Sequence, residues 1–342
     1  MRFPVSILAL ATGTVLAALG ACGGKQAPYH ELTGPSMGTT YSIKVVDLGE
    51  ADEQELRSDI VYVLTASEQL MSTYIADSDV SQFNAVRDTD WVSVSPELCT
   101  VVELALGLSE MTGGAFDVTV GPVVNLWGFG PVESLTEPPD DQSVDTALES
   151  VGYRRLGADC ERPALRKEVP DLQVDLSAFG KGFTVDKVAH VLDTYGITDY
   201  LVEIGGELRM RGLNAAGKPW AIAIETPRLD GRSVQSIADL TDTGMATSGD
   251  YRNFFEHNGT LYSHTINPST GRPVTHGAAS VTVIAESTAF ADAMATALLV
   301  MGPETGIEYA DERDIAAYFL VRDGEGIVER YSETFGQEVA LR

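Results

Sequence analysis

The chain has 342 residues, which is enough for one large hydrophobic core or two connected ones. Its formal net charge is −27. A body this acidic repels nucleic acid and anionic lipid surfaces, so nucleic acid is excluded as a partner. Binding of an anionic ligand would depend on local positive groups or on a metal ion.

The N-terminal segment predicts export. Residues 5–19 form an apolar run without charges behind Arg2, which is shorter than the ~20 residues of a membrane-spanning helix and typical of a signal peptide. The run leads into Leu19-Gly20-Ala21-Cys22, which resembles a bacterial lipobox. An ordinary signal peptide with a chance cysteine is the alternative.

We therefore predict a signal peptide at 1–21, a lipidated Cys22 with a tether at 22–33, and a folded domain at 34–342. The protein would be anchored by its lipid in the bacterial cell envelope, with its body in the periplasm. The sequence leaves open whether the inner or the outer membrane holds the anchor.

Hydrophobic periodicity along the folded domain predicts helices and strands without regular βαβ alternation. Strands are predicted over 37–46, 199–210, 220–226, 261–266 and 280–284, with a closing hairpin at 315–322 and 327–331. Helices are predicted over 50–71, from Ser95 to Gly113, from Lys181 to Gly196 and over 287–301. This mixture favours an α+β fold with mixed or antiparallel sheets and packed helices. Cys99 and Cys160 could pair in an oxidising compartment, although nothing in the sequence brings them together.

Lys181 is one of only six lysines, and it stands between two glycines. Glycine lets the backbone approach a phosphate closely, and the start of a helix favours anions. Asp175 adds a carboxylate beside this candidate anion site. The glycine spacing does not match a P-loop. An ordinary helix start with a solvated lysine is the alternative.

The predicted helix over 287–301 carries a second candidate site. Asp292 and Thr296 are four residues apart and share one face of the helix. A carboxylate and a hydroxyl at this spacing suit Mg²⁺, which prefers oxygen ligands and keeps waters that a phosphate can replace. The alternative is a half-exposed helix face without a ligand.

Two further segments carry candidate chemistry. His264 ends a predicted strand, and a neutral imidazole accepts a proton at neutral pH; a histidine that bonds the turn backbone is the alternative. The glycine-rich loop after residue 113 contains Phe116, Asp117 and Trp127. These side chains suit a flat ring with a polar edge, or else they pack in the core.

Seven short motifs occur in an order that resembles the ApbE family. They are Met37-Gly38-Thr39, Met71-Ser72-Thr73-Tyr74, Gly114-Ala115-Phe116-Asp117, Asp175…Lys181-Gly182, Thr247-Ser248-Gly249-Asp250-Tyr251, Ser263-His264…Pro268…Gly271 and Ala291-Asp292-Ala293…Thr296. The match extends from about Gly34 to Gly302 and follows a lipobox. Members of this family are lipoprotein FAD:protein FMN transferases, which implies a cleft for FAD between two subdomains.

The resemblance also implies site residues. Met37, Tyr74, Ala115, Phe116, Asp117, Asp175, Lys181 and Ile266 are similar in position to the family's FAD contacts. The backbone carbonyl of Ala178, with Asp292 and Thr296, matches its magnesium site, and His264 matches its catalytic histidine. Asn267 departs from the aspartate that many members carry, and we expect a modest effect because asparagine also forms turns.

The activity implied is Mg²⁺-dependent transfer of FMN from FAD to a threonine or serine hydroxyl of a partner protein, which releases AMP and leaves a phosphoester-linked flavin. Acceptors would be redox subunits of membrane electron-transfer complexes or other exported flavoproteins. Two alternatives stay open: an Mg²⁺-dependent FAD pyrophosphatase, and a non-catalytic FAD-binding lipoprotein.

Overall fold

The computed structural model describes residues 29–132, 135–228, 231, 233–251, 253–324 and 326–342. The predicted signal peptide and Cys22 lie outside the described residues. Within these ranges, no helix combines the length and the apolar character needed to cross a bilayer.

The helices are α1 Glu53–Met71, α2 Asp79–Ala85, α3 Pro96–Met111, α4 Gly121–Leu126, α5 Asp141–Leu148, α6 Gly180–Thr194, α7 Thr288–Met301, α8 Pro303–Asp311 and α9 Glu333–Glu338. The strands are β1 His30–Ser36, β2 Thr39–Val45, β3 Val92–Ser93, β4 Leu156–Asp159, β5 Ala164–Lys167, β6 Tyr200–Ile204, β7 Glu207–Arg211, β8 Trp220–Glu225, β9 Val234–Leu240, β10 Thr243–Gly249, β11 Phe254–His257, β12 Thr260–Ser263, β13 Ile266–Asn267, β14 Arg272–Pro273, β15 Ala278–Ala285, β16 Ala316–Asp323 and β17 Gly326–Tyr331.

An eight-stranded sheet forms the centre of the molecule, with the order β1-β2-β6-β7-β10-β15-β16-β17. Neighbouring strands are antiparallel throughout, which confirms the predicted α+β class. The β16–β17 hairpin is also confirmed. The first strand begins at His30, so residues 30–33 of the predicted tether belong to the sheet.

The prediction of one strand over 199–210 is wrong. The segment forms the β6–β7 hairpin, with Ile204 paired to Glu207 across a tight turn. Gly205 and Gly206 make this turn with φ of 62° and 106°, a left-handed region that other residues resist. The turn places Glu207 at the same end of the sheet as the start of α6, as the ion pair to Lys181 shows.

The two faces of the sheet pack against different layers. Alternate residues of β16 point to opposite sides: Phe319 packs with the side chains of α3 and α7, whereas Tyr318 packs with β8, β9 and α9. A further cluster joins β1, β2 and β6 to α1 and α6. Helices α1, α6 and α7 therefore cover one face of the sheet.

Helices α6 and α7 meet at Gly182. A Cβ at this position would lie 2.4 Å from the carbonyl oxygen of Thr288 and 2.8 Å from the Cβ of Asp292. One turn further along α6, the carboxylate of Asp186 accepts hydrogen bonds from the backbone N–H groups of Thr288 and Ala289, both at 3.0 Å. The contact thus fixes both the distance between the helices and the start of α7.

Cys99 and Cys160 form a disulfide. The bond connects the first turn of α3 to the loop after β4, two elements that the sequence did not place together. It closes a loop with a sequence separation of 61 residues.

We predict that Gly182→Ala lowers the free energy of unfolding by about 1–3 kcal/mol, because the new methyl group overpacks the α6–α7 contact. Gly107→Ala in α3 is the matched control, since a Cβ there meets nothing within 4 Å. Urea unfolding of both variants measures the difference. Equal stability of the two variants would show that the helices can separate without cost.

Reduction of the disulfide should lower the free energy of unfolding by roughly 4 kcal/mol, because an open loop of this length gains conformational entropy in the unfolded chain. Urea unfolding with and without dithiothreitol checks this value. An unchanged midpoint, with thiol titration confirming reduction, would contradict it.

Candidate active site

The start of α6 holds the lysine that the sequence analysis selected. The Lys181 Nζ lies 3.1 Å from Oε1 of Glu207, and the lysine side chain is 28% exposed. Burial lowers the pKa of Lys181, but the charges of Asp292 and Glu207 outweigh this effect and hold the pKa above its ordinary value. Lys181 is therefore a fixed positive charge, and the alternative of a freely solvated lysine is wrong.

Glu207 is a site residue that the sequence analysis missed. It is only 5% exposed, and its Oε2 is buried without a hydrogen-bond partner among the described residues. Burial raises the pKa of its carboxyl, the charge of Lys181 opposes this shift and the charge of Asp292 adds to it. An unpaired buried acceptor costs about 1–3 kcal/mol, more when it is charged, so stability alone does not explain this carboxylate.

The middle of α7 carries the predicted metal ligands. Asp292 is buried, and its Oδ2 accepts the backbone N–H of Gly182 at 3.0 Å. One turn later, Oγ1 of Thr296 lies 2.8 Å from Oγ of Ser248 in β10. Ala178 is half-buried and lies two residues before α6 begins. The helix contact at Gly182 thus joins Asp292 directly to the first turn of α6.

His264 lies between β12 and β13, beside the end of β10. Its Nδ1 lies 3.1 Å from the carbonyl oxygen of Asn253, which also accepts the backbone N–H of His264 at 3.0 Å. A carbonyl only accepts, so Nδ1 carries the proton and Nε2 is the free base. Burial lowers the pKa of His264 below its ordinary 6.5; the Asn253 hydrogen bond opposes this shift, the charge of Lys181 lowers the pKa further and Asp250 raises it.

Asp250 is held in place by Arg322 of β16. Its two terminal guanidinium nitrogens, Nη1 and Nη2, each donate to one carboxylate oxygen at 2.6 Å in a bidentate ion pair. The backbone N–H of Asp250 also donates to Ala279 at 3.0 Å. A fixed negative charge and a fixed positive charge, that of Lys181, therefore act on the same imidazole.

A cluster of stacked aromatic rings leads to His264. The ring centroids of Phe255 and Tyr262 are 5.0 Å apart, and Trp127 lies 5.6 Å from Tyr262. Phe129 contacts both Phe255, at 5.8 Å, and the edge of His264, at 6.3 Å. The β11–β12 hairpin and the loop after α4 thus form a continuous aromatic wall on one side of the histidine.

The loop after α3 follows the core-packing alternative. Phe116 is buried in the main hydrophobic core, and Trp127 is buried with its Nε1 donating to the Gly271 carbonyl at 2.7 Å. Asp117 accepts the N–H and hydroxyl of Thr119 at 2.8 and 2.6 Å, and the N–H of Tyr153 at 2.9 Å. Both carboxylate oxygens of Asp117 therefore accept hydrogen bonds within the protein, which fixes the orientation of this side chain.

Other predicted FAD contacts surround this loop. Tyr74 is 66% exposed, and its hydroxyl donates to the Phe129 carbonyl at 3.1 Å. Burial and then the charge of Asp175 raise the pKa of Tyr74, so these two side chains are close. Asp175 and Gly121 also line a cavity of about 200 Å³, a polar recess at the side of the aromatic wall.

The remaining predicted residues lie at the start of α6, beside Trp127 and against the main core. Met37 forms the β1–β2 turn with φ of 51°, and its side chain lies over Gly180 at the start of α6. Ile266 is buried beside Trp127. Ala115 is half-buried against the main core. In the turn after β13, Oδ1 of Asn267 accepts the N–H of Ser269 at 2.9 Å, which is the turn-forming role expected of it.

A larger cavity of about 550 Å³ lies between α3, α6 and α7. Apolar side chains such as Leu108, Phe179 and Phe290 line it. None of the predicted site residues lines this cavity, so it is separate from the candidate active site.

A sequence model of the ApbE family matches residues 37–319. The chain belongs to the ApbE family. The FAD:protein FMN transferase of Vibrio cholerae is 45% identical over 323 residues, which are 94% of this chain and 96% of that protein.

Solved structures of ApbE proteins share the whole fold. The flavin transferase ApbE from Vibrio cholerae has a TM-score of 0.84 at 43% identity, covering 91% of this chain and 99% of that chain. The apo form of the flavinyl transferase ApbE from Pseudomonas stutzeri has a TM-score of 0.82 at 38% identity, covering 91% and 96%. The resemblance seen in the ApbE motifs is therefore confirmed over almost the entire described chain.

The ApbE motif residues are recognisable in the sequence, whereas the residues that support them are not. Glu207 was placed within the predicted strand over 199–210, although two glycines directly before an acidic residue could have indicated a turn. Asp186, which bonds the first turn of α7, was not predicted as a site support. The pairing of Asp250 with Arg322 has no signal in the sequence, because the two residues meet only through the order of strands β10, β15 and β16.

Proposed function

We propose that this chain transfers the FMN part of FAD to a threonine or serine hydroxyl of a partner protein and releases AMP. The relatives of similar length that are named FAD:protein FMN transferases support this proposal. The observation in the structure that carries it is the tautomer of His264, whose Nδ1 is bonded to the Asn253 carbonyl so that Nε2 is a free base. Lys181, held 3.1 Å from Glu207 at the start of α6, supplies the positive charge that a pyrophosphate substrate needs.

In this reaction Lys181 faces the pyrophosphate of FAD, and His264 faces the acceptor hydroxyl. The Nε2 of His264 accepts the hydroxyl proton while that oxygen forms a bond to the FMN-side phosphorus. The bond from this phosphorus to the bridging oxygen breaks, and AMP leaves with the bonding electrons. The charge of Lys181 stabilises the negative charge that develops on the phosphate oxygens.

The residues on α7 fit a magnesium ion. Oδ2 of Asp292 accepts the backbone N–H of Gly182, whereas Oδ1 accepts no hydrogen bond within the described ranges. With the Thr296 hydroxyl and the Ala178 carbonyl, the donor set would be one carboxylate and two neutral oxygens. No group of three or more His, Cys, Asp or Glu side chains in the described part could hold a metal, so the substrate phosphate and water would have to supply the remaining ligands of the ion. When bound, Mg²⁺ would neutralise phosphate charge.

We further propose that the protein acts at the bacterial cell envelope, anchored through a lipid on Cys22, with its body in the periplasm. The lipobox-like sequence supports this location, and an exported body accords with the Cys99–Cys160 disulfide. Acceptors in that compartment would be redox subunits of membrane electron-transfer complexes or other exported flavoproteins.

The test incubates the mature protein with FAD, Mg²⁺ and a purified flavin-acceptor subunit of a sodium-linked electron-transfer complex. We expect AMP release in step with flavin that survives denaturation of the acceptor, and loss of both with EDTA. His264→Ala should lower the rate by about 10²–10⁴-fold, the usual contribution of a general base. AMP with free FMN would indicate a pyrophosphatase instead, and FAD binding without AMP would indicate a binding protein. An undiminished rate in His264→Ala would refute the base assignment.

The pH dependence of transfer should show an acid limb whose midpoint lies below 6.5, the ordinary pKa of histidine. The reaction needs neutral His264, so the rate is constant above this midpoint and falls as protonation increases below it. Asp250→Asn should move the limb to lower pH, because Asp250 is the charge that raises the pKa of His264. Initial rates at saturating FAD between pH 5 and 8 measure this; a limb that moves to higher pH in the variant would contradict the assignment.

A further inference from the structure

We propose that Glu207 is a positioning residue for flavin transfer, which holds the Lys181 ammonium against the pyrophosphate of FAD. This proposal rests on the transfer function proposed above. Lysine has a flexible four-carbon stem and three N–H donors. The contact of 3.1 Å to Glu207 Oε1 uses one donor and fixes the ammonium, while two donors remain for phosphate oxygens. The partial exposure of Lys181 leaves these donors accessible to a ligand.

Glu207 is itself held rigidly. It is the first residue of β7 and pairs with Ile204 across the Gly205–Gly206 turn. A Cβ on Gly205 would lie 2.7 Å from Cγ2 of Thr39 and 3.3 Å from Cδ of Lys181. The glycine turn therefore allows the lysine stem to pass closely over the hairpin, and the sheet sets the position of the carboxylate that meets its end.

The surroundings of the Glu207 carboxylate destabilise the folded protein, so stabilising the fold is not the role of this residue. Its carboxylate is buried, its Oε2 has no hydrogen-bond partner in the described part of the chain, and the like charge of Asp292 acts on it. Buried carboxylates with such surroundings are enriched at functional sites. Within the described ranges, Lys181 is the side chain that interacts favourably with the Glu207 carboxylate, so the role of Glu207 is exerted through that residue.

If Glu207 positions the ammonium of Lys181, its removal should affect the rate of transfer and the binding of FAD differently. If Glu207 is replaced by a neutral residue, the site becomes more positive, and the anionic FAD binds as well as before or more tightly. The ammonium, however, loses its fixed place, and a displacement of about 1 Å at a reacting centre costs on the order of 10²-fold in rate. We therefore expect kcat to fall while the KM for FAD does not rise.

The experiment measures AMP release and acceptor flavinylation for Glu207→Gln, which keeps the side-chain size and removes the charge. We expect kcat to fall by about 10–100-fold, with the KM for FAD unchanged or lower. Glu207→Asp keeps the charge with a shorter reach and should recover part of kcat. Glu203→Gln is the matched control in the same hairpin, because its amide oxygen can still accept the Gly206 N–H that Glu203 now binds at 2.7 Å; its kcat should change less than twofold, a small change compared with misplacement.

A double-mutant cycle with Lys181→Met separates positioning from a general loss of structure. If Glu207 acts through the lysine, Glu207→Gln has little further effect on kcat in the Lys181→Met background. Additive losses, a raised KM with unchanged kcat, or an unchanged kcat would each overturn the proposal. A wild-type protein that releases AMP without labelling the acceptor would refute transfer, while the cycle could still be measured from AMP. No AMP release at all would refute both proposals.

Discussion

The close contact of α6 and α7 at Gly182 is the constraint on which the site depends. Only glycine fits there, because the backbone of α7 occupies the space that any side chain would need. The same contact lets Asp292 bond the backbone of Gly182, so the candidate metal ligand and the first turn of α6 share a hydrogen bond. Lys181 is the residue directly before Gly182. The crossing of the two helices therefore also sets the position of Lys181 relative to Asp292.

Two charged residues strengthen this arrangement, one between the helices and one between α6 and the sheet. Asp186 bonds the first turn of α7 and prevents the two helices from sliding along each other. Glu207 connects α6 to the β6–β7 hairpin through Lys181. The sheet carries Ser248 beside Thr296 and Asp250 near His264. The chemistry of the site is thus arranged around one helix pair, with the sheet as a common base.

The sequence predicted the parts of this arrangement that leave a local pattern. Helix α7 was found from its hydrophobic periodicity, and the motif residues Lys181, His264 and Asp292 were found from residue type and order. Features that depend on strand order could not be predicted. The ion pair of Asp250 and Arg322 and the disulfide of Cys99 join segments far apart in the chain. Glu207 was hidden because a hairpin with a two-glycine turn has the same alternation as one longer strand.

The charges of the site also bear on how so acidic a protein binds an anion. Charges on the exposed surface are screened beyond about 8 Å at physiological salt, so binding of FAD depends on the local groups. Lys181, Glu207 and Asp292 together carry one positive and two negative formal charges when all are ionised. Under the proposed function, a magnesium ion on Asp292 would offset this excess of negative charge, which leaves the ammonium of Lys181 available to the pyrophosphate.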